Sequence, residues 1–161
     1  MKRIAIIGSF QRTDNYELVR ELIAFFEKEG LTVVSPAGTI VADNREGFVV
    51  FESDNRTQKN EKIQYDTLVK IFSAHVVYVV NIDGYVGKTT CYEIGRILER
   101  RQPIYFYSHP QDLPICITEE FIVSPVKFME IICNSGESIL NLECSSCKKY
   151  QICSGGDNVE A

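Results

Sequence analysis

No apolar stretch in the sequence approaches the roughly 18 residues that a membrane span requires, and runs such as RIAII and VVYVV break after a few residues. The chain should therefore not cross a bilayer. Its start, MKRIAIIGSF, carries two basic residues before an apolar run too short for a signal peptide, and reads as a first strand of a cytoplasmic protein. Positive charge is also scarce. Lys and Arg number 17 against 22 Asp and Glu, a formal charge of -5, with no long basic block. This disfavours a partner of DNA or RNA length, whose binding would rest on neutralising many phosphates. A single nucleotide remains open, because one pocket needs only a few local donors. Tandem repeats are absent.

Two nucleotide fingerprints are incomplete. GSFQRT lacks the second and third glycines of a dinucleotide turn, and GKT at Gly87, Lys88 and Thr89 has Ile82 where a P-loop needs its first glycine. Cysteine is not scarce, but its distribution argues against a disulfide framework in a cytosolic chain. Cys91 sits alone in the main pattern, whereas Cys116, Cys133, Cys144, Cys147 and Cys153 crowd toward the end.

What is present is enough for one core. A chain of 161 residues, 45% hydrophobic with 9 Phe and 8 Tyr, has the size and composition of a single domain that needs no staples. Strand and helix patterns alternate along it. RIAII is followed by a helical pattern in DNYELVRELIAFFEKEG, with Asp14 and Glu17 as a reciprocal cap and Gly30 as its stop. LTVV is a second strand, and the stretch from Ser35 to about Asn55 reads as a long loop with one short element, FVVFE. A helix from Lys59 to about Ala74, the buried strand VVYVV, a helix from about Thr89 to Arg100 and the strand PIYFY follow. FIV is a further short strand, and Ser124 and Pro125 cap a last helix through VKFMEII. This order implies an α/β fold, a central parallel sheet covered by helices on both faces. The ligand crevice of such a sheet lies beyond the C-terminal strand ends, here the loops after Ile7, Val34, Val80 and Tyr107.

Three pieces of sequence converge on that edge. Gly8, Ser9 and Phe10 follow the first strand, where a glycine permits close approach and free amides favour an anion. Tyr85, Gly87, Thr89 and Thr90 bring a turn into a helix N-terminus, where an oxygen-rich group is favoured. Asp83 directly follows VVYVVNI and Glu93 lies about one turn inside the next helix, so both carboxylates can border one crevice. The structural alternative is a turn cap for Asp83 and a helix contact for Glu93.

The string NIDGYVGKTTCYEIG, with Asp83, the glycine turn, Glu93 and Gly95, resembles the nucleoside 2-deoxyribosyltransferase-like family, which includes nucleoside 5'-monophosphate N-glycosidases. The resemblance covers about residues 3 to 108, within a domain placed at residues 1–134. It implies a flavodoxin-like three-layer sandwich, with Glu93 and Asp83 as catalytic carboxylates. Gly8, Ser9 and Phe10 match the family's sugar and base turn. Ser9, Thr89 or Thr90 would hold sugar hydroxyls or a phosphate, and Arg12, Arg56 and Lys88 are candidate phosphate donors. A homodimer or higher homo-oligomer is implied as well. Glu93 would attack the anomeric carbon or stabilise a cation there, with transfer to another base or hydrolysis as the outcome and no cofactor required. The middle loop offers Asp43, Glu52 and Asp54 without a pattern that aligns. A nucleotide-binding or sensing module without turnover is the competing reading.

Residues 135–161 form a cysteine-rich tail. CxxC at Cys144 and Cys147 with Cys153 beyond it makes these three candidate ligands of zinc or an iron-sulfur cluster, with Cys116 or Cys133 as a fourth; free thiols are the alternative. His75 and His109 read as local packing or turn residues.

Overall fold

The computed structural model describes residues 2–36, 40–45, 48–51, 54 and 57–134. Strands β1 (Arg3–Gly8), β2 (Thr32–Ser35), β5 (Val76–Val80) and β6 (Ile104–Phe106) form one parallel sheet in the order β2-β1-β5-β6. Helices α1 (Thr13–Lys28), α2 (Asn60–Ser73), α3 (Lys88–Glu99) and α4 (Pro125–Asn134) cover it. Side chains of a strand point alternately to its two faces, and both faces here are buried. Ile4, Ile6, Val76, Tyr78 and Val80 meet Leu22 and Phe26 of α1 and Phe128 and Ile132 of α4. On the other face, Ala5, Ile7, Val77 and Val79 meet Leu68 and Ile71 of α2 and Ile94 and Ile97 of α3. This explains why RIAII and VVYVV read as unbroken apolar runs rather than alternating ones.

Local signals account for most element ends. Gly30, at φ 84, lets α1 close with Gly30 N–H donating to Glu27 O and Leu31 N–H to Phe26 O, both at 3.0 Å. Ser124 Oγ accepts from Lys127 N at 3.2 Å, the expected cap of α4. The cap expected from Asp14 and Glu17 is not formed. The helix already starts at Thr13, with Arg12 at the cap position and no side-chain cap bond. Asp14 instead accepts from the Arg12 guanidinium at 3.1 and 2.6 Å, which holds its carboxyl below the usual range.

The middle of the chain also differs from the expected loop. Strands β3 (Val41–Arg45) and β4 (Phe48–Phe51) pair antiparallel, with Arg45 opposite Phe48 and Val41 opposite Phe51. FVVF is one of these strands; its partner VADNR is polar and carries no strand signature. FIV contributes only a parallel bridge from Ile122 to Phe106, after a single 3-10 turn at Glu119–Phe121. Among the described residues no helix is long and apolar enough to cross a membrane. Glu52, Arg56 and the tail at 135–161, with Cys144, Cys147 and Cys153, lie outside the described residues, as does the side chain of Asp43.

Candidate active site

The chain passes from β1 to β2 on one side of β1, and returns to place β5 and then β6 on the other. The C-terminal ends of β1 and β5 therefore flank the switch in strand order, where the loops leave in opposite directions and open a crevice. A cavity of about 300 Å³ lies there. Its wall comes from the turn after β1 (Ser9, Phe10, Gln11), the end of β2 (Ser35), β4 with Asp54 beyond it, α2 (Gln64, Thr67, Lys70) and the start of α3.

Backbone geometry fixes the two turns. Gly8 pairs with Val80 across β1 and β5, and a Cβ on Gly8 would lie 2.5 Å from the Val80 carbonyl oxygen. The glycine thus serves the close contact of the two strands. Gly87 caps α3 at φ 76, where a Cβ would lie 3.3 Å from Ser9 Oγ and 3.5 Å from the Tyr85 ring. Asn15, fully buried on α1, ties the turns together: its Nδ2 donates to Ser9 O at 3.4 Å and its Oδ1 accepts from Ile82 N at 3.1 Å. Asn81 and Ser108 lock β5 to β6 in the same way, with Asn81 Nδ2 donating to Ser108 O at 2.7 Å and Ser108 N to Asn81 Oδ1 at 3.1 Å.

Glu93 stands on the cavity wall and is only 6% exposed. Its Oε1 accepts from Gln64 Nε2 at 2.9 Å. Burial disfavours the charged form and pushes the carboxyl up to about 7, while the Gln64 hydrogen bond pulls the other way. Gly8, Ser9, Phe10, Tyr85, Gly87, Thr89 and Thr90 line the same cavity. Phe10 meets Phe51 edge to face with ring centroids 5.3 Å apart, an aromatic corner for a flat apolar group.

Asp83 is not brought to this wall. It adopts φ 55 in the turn after β5, leaving its side chain 80% exposed and 3.5 Å from Arg12 Nη2. Arg12 in turn lies 5.6 Å over the Tyr85 ring, outside the cavity lining, whereas Lys88 lines the cavity. The second wall carboxylate is Asp54. Its Oδ2 accepts from Phe51 N at 2.9 Å and its Oδ1 lies 3.4 Å from Lys70 Nζ.

Gln64, Thr67 and Lys70 had no sequence signature as site residues. They are spaced by three along α2 and form one polar stripe, and a polar stripe on an amphipathic helix ordinarily marks its solvent side. Here α2 buries Ile63, Leu68 and Ile71 against the sheet, leaves Tyr65 and Val69 more than half exposed, and turns the half-buried Gln64, Thr67 and Lys70 to the cavity.

The remaining candidates sit elsewhere. His75 Nδ1 accepts from Arg3 N at 2.9 Å, and His109 lies in the turn beyond β6 near Glu119. Of the other tyrosines near these strand and helix ends, Tyr105 is buried in the opposite core and Tyr92 is exposed. Cys116 and Cys133 are exposed thiols, and among the described residues no His, Cys, Asp or Glu group is clustered to hold a metal. Compared with protein-family models, curated proteins and solved structures, the chain matches none of them.

Proposed function

We propose that the protein breaks the N-glycosidic bond of a nucleoside or nucleoside monophosphate, with Glu93 as the carboxylate that meets the anomeric carbon. The observation that carries this reading is Glu93 itself. It is a nearly buried carboxyl on the wall of a cavity at the sheet's switch point, partnered by a neutral amide rather than by a cation. A buried carboxylate kept for structure would be expected to have a charged partner. One left with a neutral partner in a cleft is the kind of group that chemistry uses.

The fold belongs to the same proposal. The parallel order, renumbered without the β3-β4 hairpin, is 2-1-3-4, and the Phe106 to Ile122 bridge stands where a fifth strand would follow. This partial order supports the flavodoxin-like reading.

In the reaction, the bond between the anomeric carbon and the base nitrogen breaks and its electron pair leaves with the base, which takes up a proton. Ionised Glu93 either forms an ester with the anomeric carbon or holds the oxocarbenium-like centre electrostatically. Water resolves the ester to free sugar, releasing a proton; a second base resolves it to a new nucleoside. Asp83, exposed beside Arg12, does not supply the leaving-group proton from its present place. The Phe10 and Phe51 corner suits the base, and the α3 N-terminus with Thr89 and Thr90 suits sugar oxygens or a phosphate. A cytoplasmic homodimer or higher homo-oligomer completes the reading, and light scattering measures the latter.

The test is a panel of ribo- and deoxyribonucleosides and their monophosphates, with and without an acceptor base, read for released or exchanged base. Glu93→Ala is expected to abolish base release while retaining ligand binding. Turnover at the wild-type rate in that variant would sink the role of Glu93. Binding without turnover by the wild type would leave the noncatalytic nucleotide-binding module.

A further inference from the structure

Glu93 has two oxygens and, among the described residues, one hydrogen-bond partner, the Gln64 amide on Oε1. Among the described residues, the other charged groups on the cavity wall are Lys70 on α2, Asp54 beyond β4 and Lys88 at the start of α3. Lys70 is directed to Asp54. The turn after β1 brings only the uncharged Ser9, Phe10 and Gln11 to the wall. Among the described residues, Gln64 is thus the single fixed contact that sets where the carboxyl points.

The kind of partner matters as much as its position. A Lys or Arg at this place would lock Glu93 in its ionised form and draw its electron density into an ion pair. A primary amide offers both a donor and an acceptor. Its NH2 donates to the carboxylate, and after a half-turn of the amide its carbonyl accepts from the carboxylic acid. Gln64 can therefore hold Glu93 in one orientation through both protonation states.

We propose that Gln64 is a positioning residue, which orients the Glu93 carboxyl in the cavity and accommodates it both as carboxylate and as acid. This rests on the N-glycoside reading only for its consequence in turnover; the hydrogen bond itself can be tested without any substrate.

The experiment uses the full chain with Gln64→Met, which keeps length and packing but has no amide, and Gln64→Ala in case the methionine repacks. The Glu93 carboxyl is titrated by carbon NMR, assigned by comparison with Glu93→Gln. The bond that the amide donates to the charged carboxylate is stronger than the one it accepts from the neutral acid, so losing the amide is expected to raise the Glu93 midpoint by about one pH unit. With an active substrate from the panel, kcat is expected to fall about 10- to 100-fold with little change in KM. The acid limb of the rate profile should move up with the NMR midpoint. A midpoint unchanged in both variants overturns the proposal, as does a loss confined to KM. If the wild type turns over no compound of the panel, the N-glycoside reading fails, and the NMR titration still decides the role of Gln64.

Discussion

Replacing Glu93 by glutamine keeps the side chain's shape and an acceptor for the Gln64 amide while removing the charge. Burial is the larger influence on this carboxyl and raises it from 4.5 to about 7, against a smaller opposing pull from the Gln64 hydrogen bond. Over that interval the unfolded chain has released the proton and the folded chain keeps it. The stability contributed by the protonated carboxyl is therefore fully present below 4.5 and lost as pH rises through 7. At about 1.4 kcal/mol per pH unit, the interval corresponds to about 3 kcal/mol. With Glu93 only 6% exposed, solvent screening removes little of this. Urea unfolding of both proteins from about pH 4.5 to about pH 8 measures it, because every other titrating group cancels in the difference. Glu93→Gln should gain about 3 kcal/mol over the wild type across that range, equivalent to about 6–12 °C in Tm for a chain of this size. A difference that stays constant with pH would refute the reasoning, since the carboxylate would then ionise in the fold at no cost.

In the proposed reaction the same group would set the pH dependence of turnover. If the ionised form reacts, kcat/KM for base release should rise with pH about a midpoint near 7; a rate already maximal at about pH 5 would contradict it. Gly87→Ala forces an L side chain to φ 76 and brings a Cβ to 3.3 Å from Ser9 Oγ. A cost of about 2 kcal/mol, or a fall of about 4–8 °C in Tm, is expected by calorimetry, and an unchanged Tm would mean the turn relaxes freely.

Why parts of this architecture were legible, and others not, follows from what each residue contacts. RIAII and VVYVV are covered on both faces, so burial alone wrote them as apolar runs. Glu93 was legible as a lone carboxylate following a strand, a glycine turn and a helix start. Asp83 had the same apparent claim, but proximity to the strand end in sequence does not decide direction. One residue at φ 55 turns its carboxylate out to solvent, and Arg12 meets it there. The β3-β4 hairpin was hidden because VADNR offers no alternation. Asp54 stood out only as one of three acidic residues of that stretch, with Asp43 and Glu52, and nothing in the sequence pattern set it on the cavity wall beside Lys70. Gln64 was concealed by the general rule that polar faces of helices meet water; part of that face of α2 lines the cavity instead.

In the proposed reaction, the ionisation cost of Glu93 bears directly on rate. An enzyme gains only from interactions stronger in the transition state than in the ground state. A neutral nucleoside sugar does little for a carboxylate already stripped of water, whereas the positive charge that develops at the anomeric carbon compensates it at the moment of bond breaking. The same desolvation that raises the carboxyl to about 7 is thus available to the transition state. About 3 kcal/mol of recovered interaction corresponds to roughly two powers of ten in rate. A cation beside Glu93 would have cancelled that difference in advance. The neutral amide of Gln64 leaves it in place, so under the proposed reading glutamine on α2, unlike lysine or arginine, would let a buried carboxylate respond to a charge that exists only during the reaction.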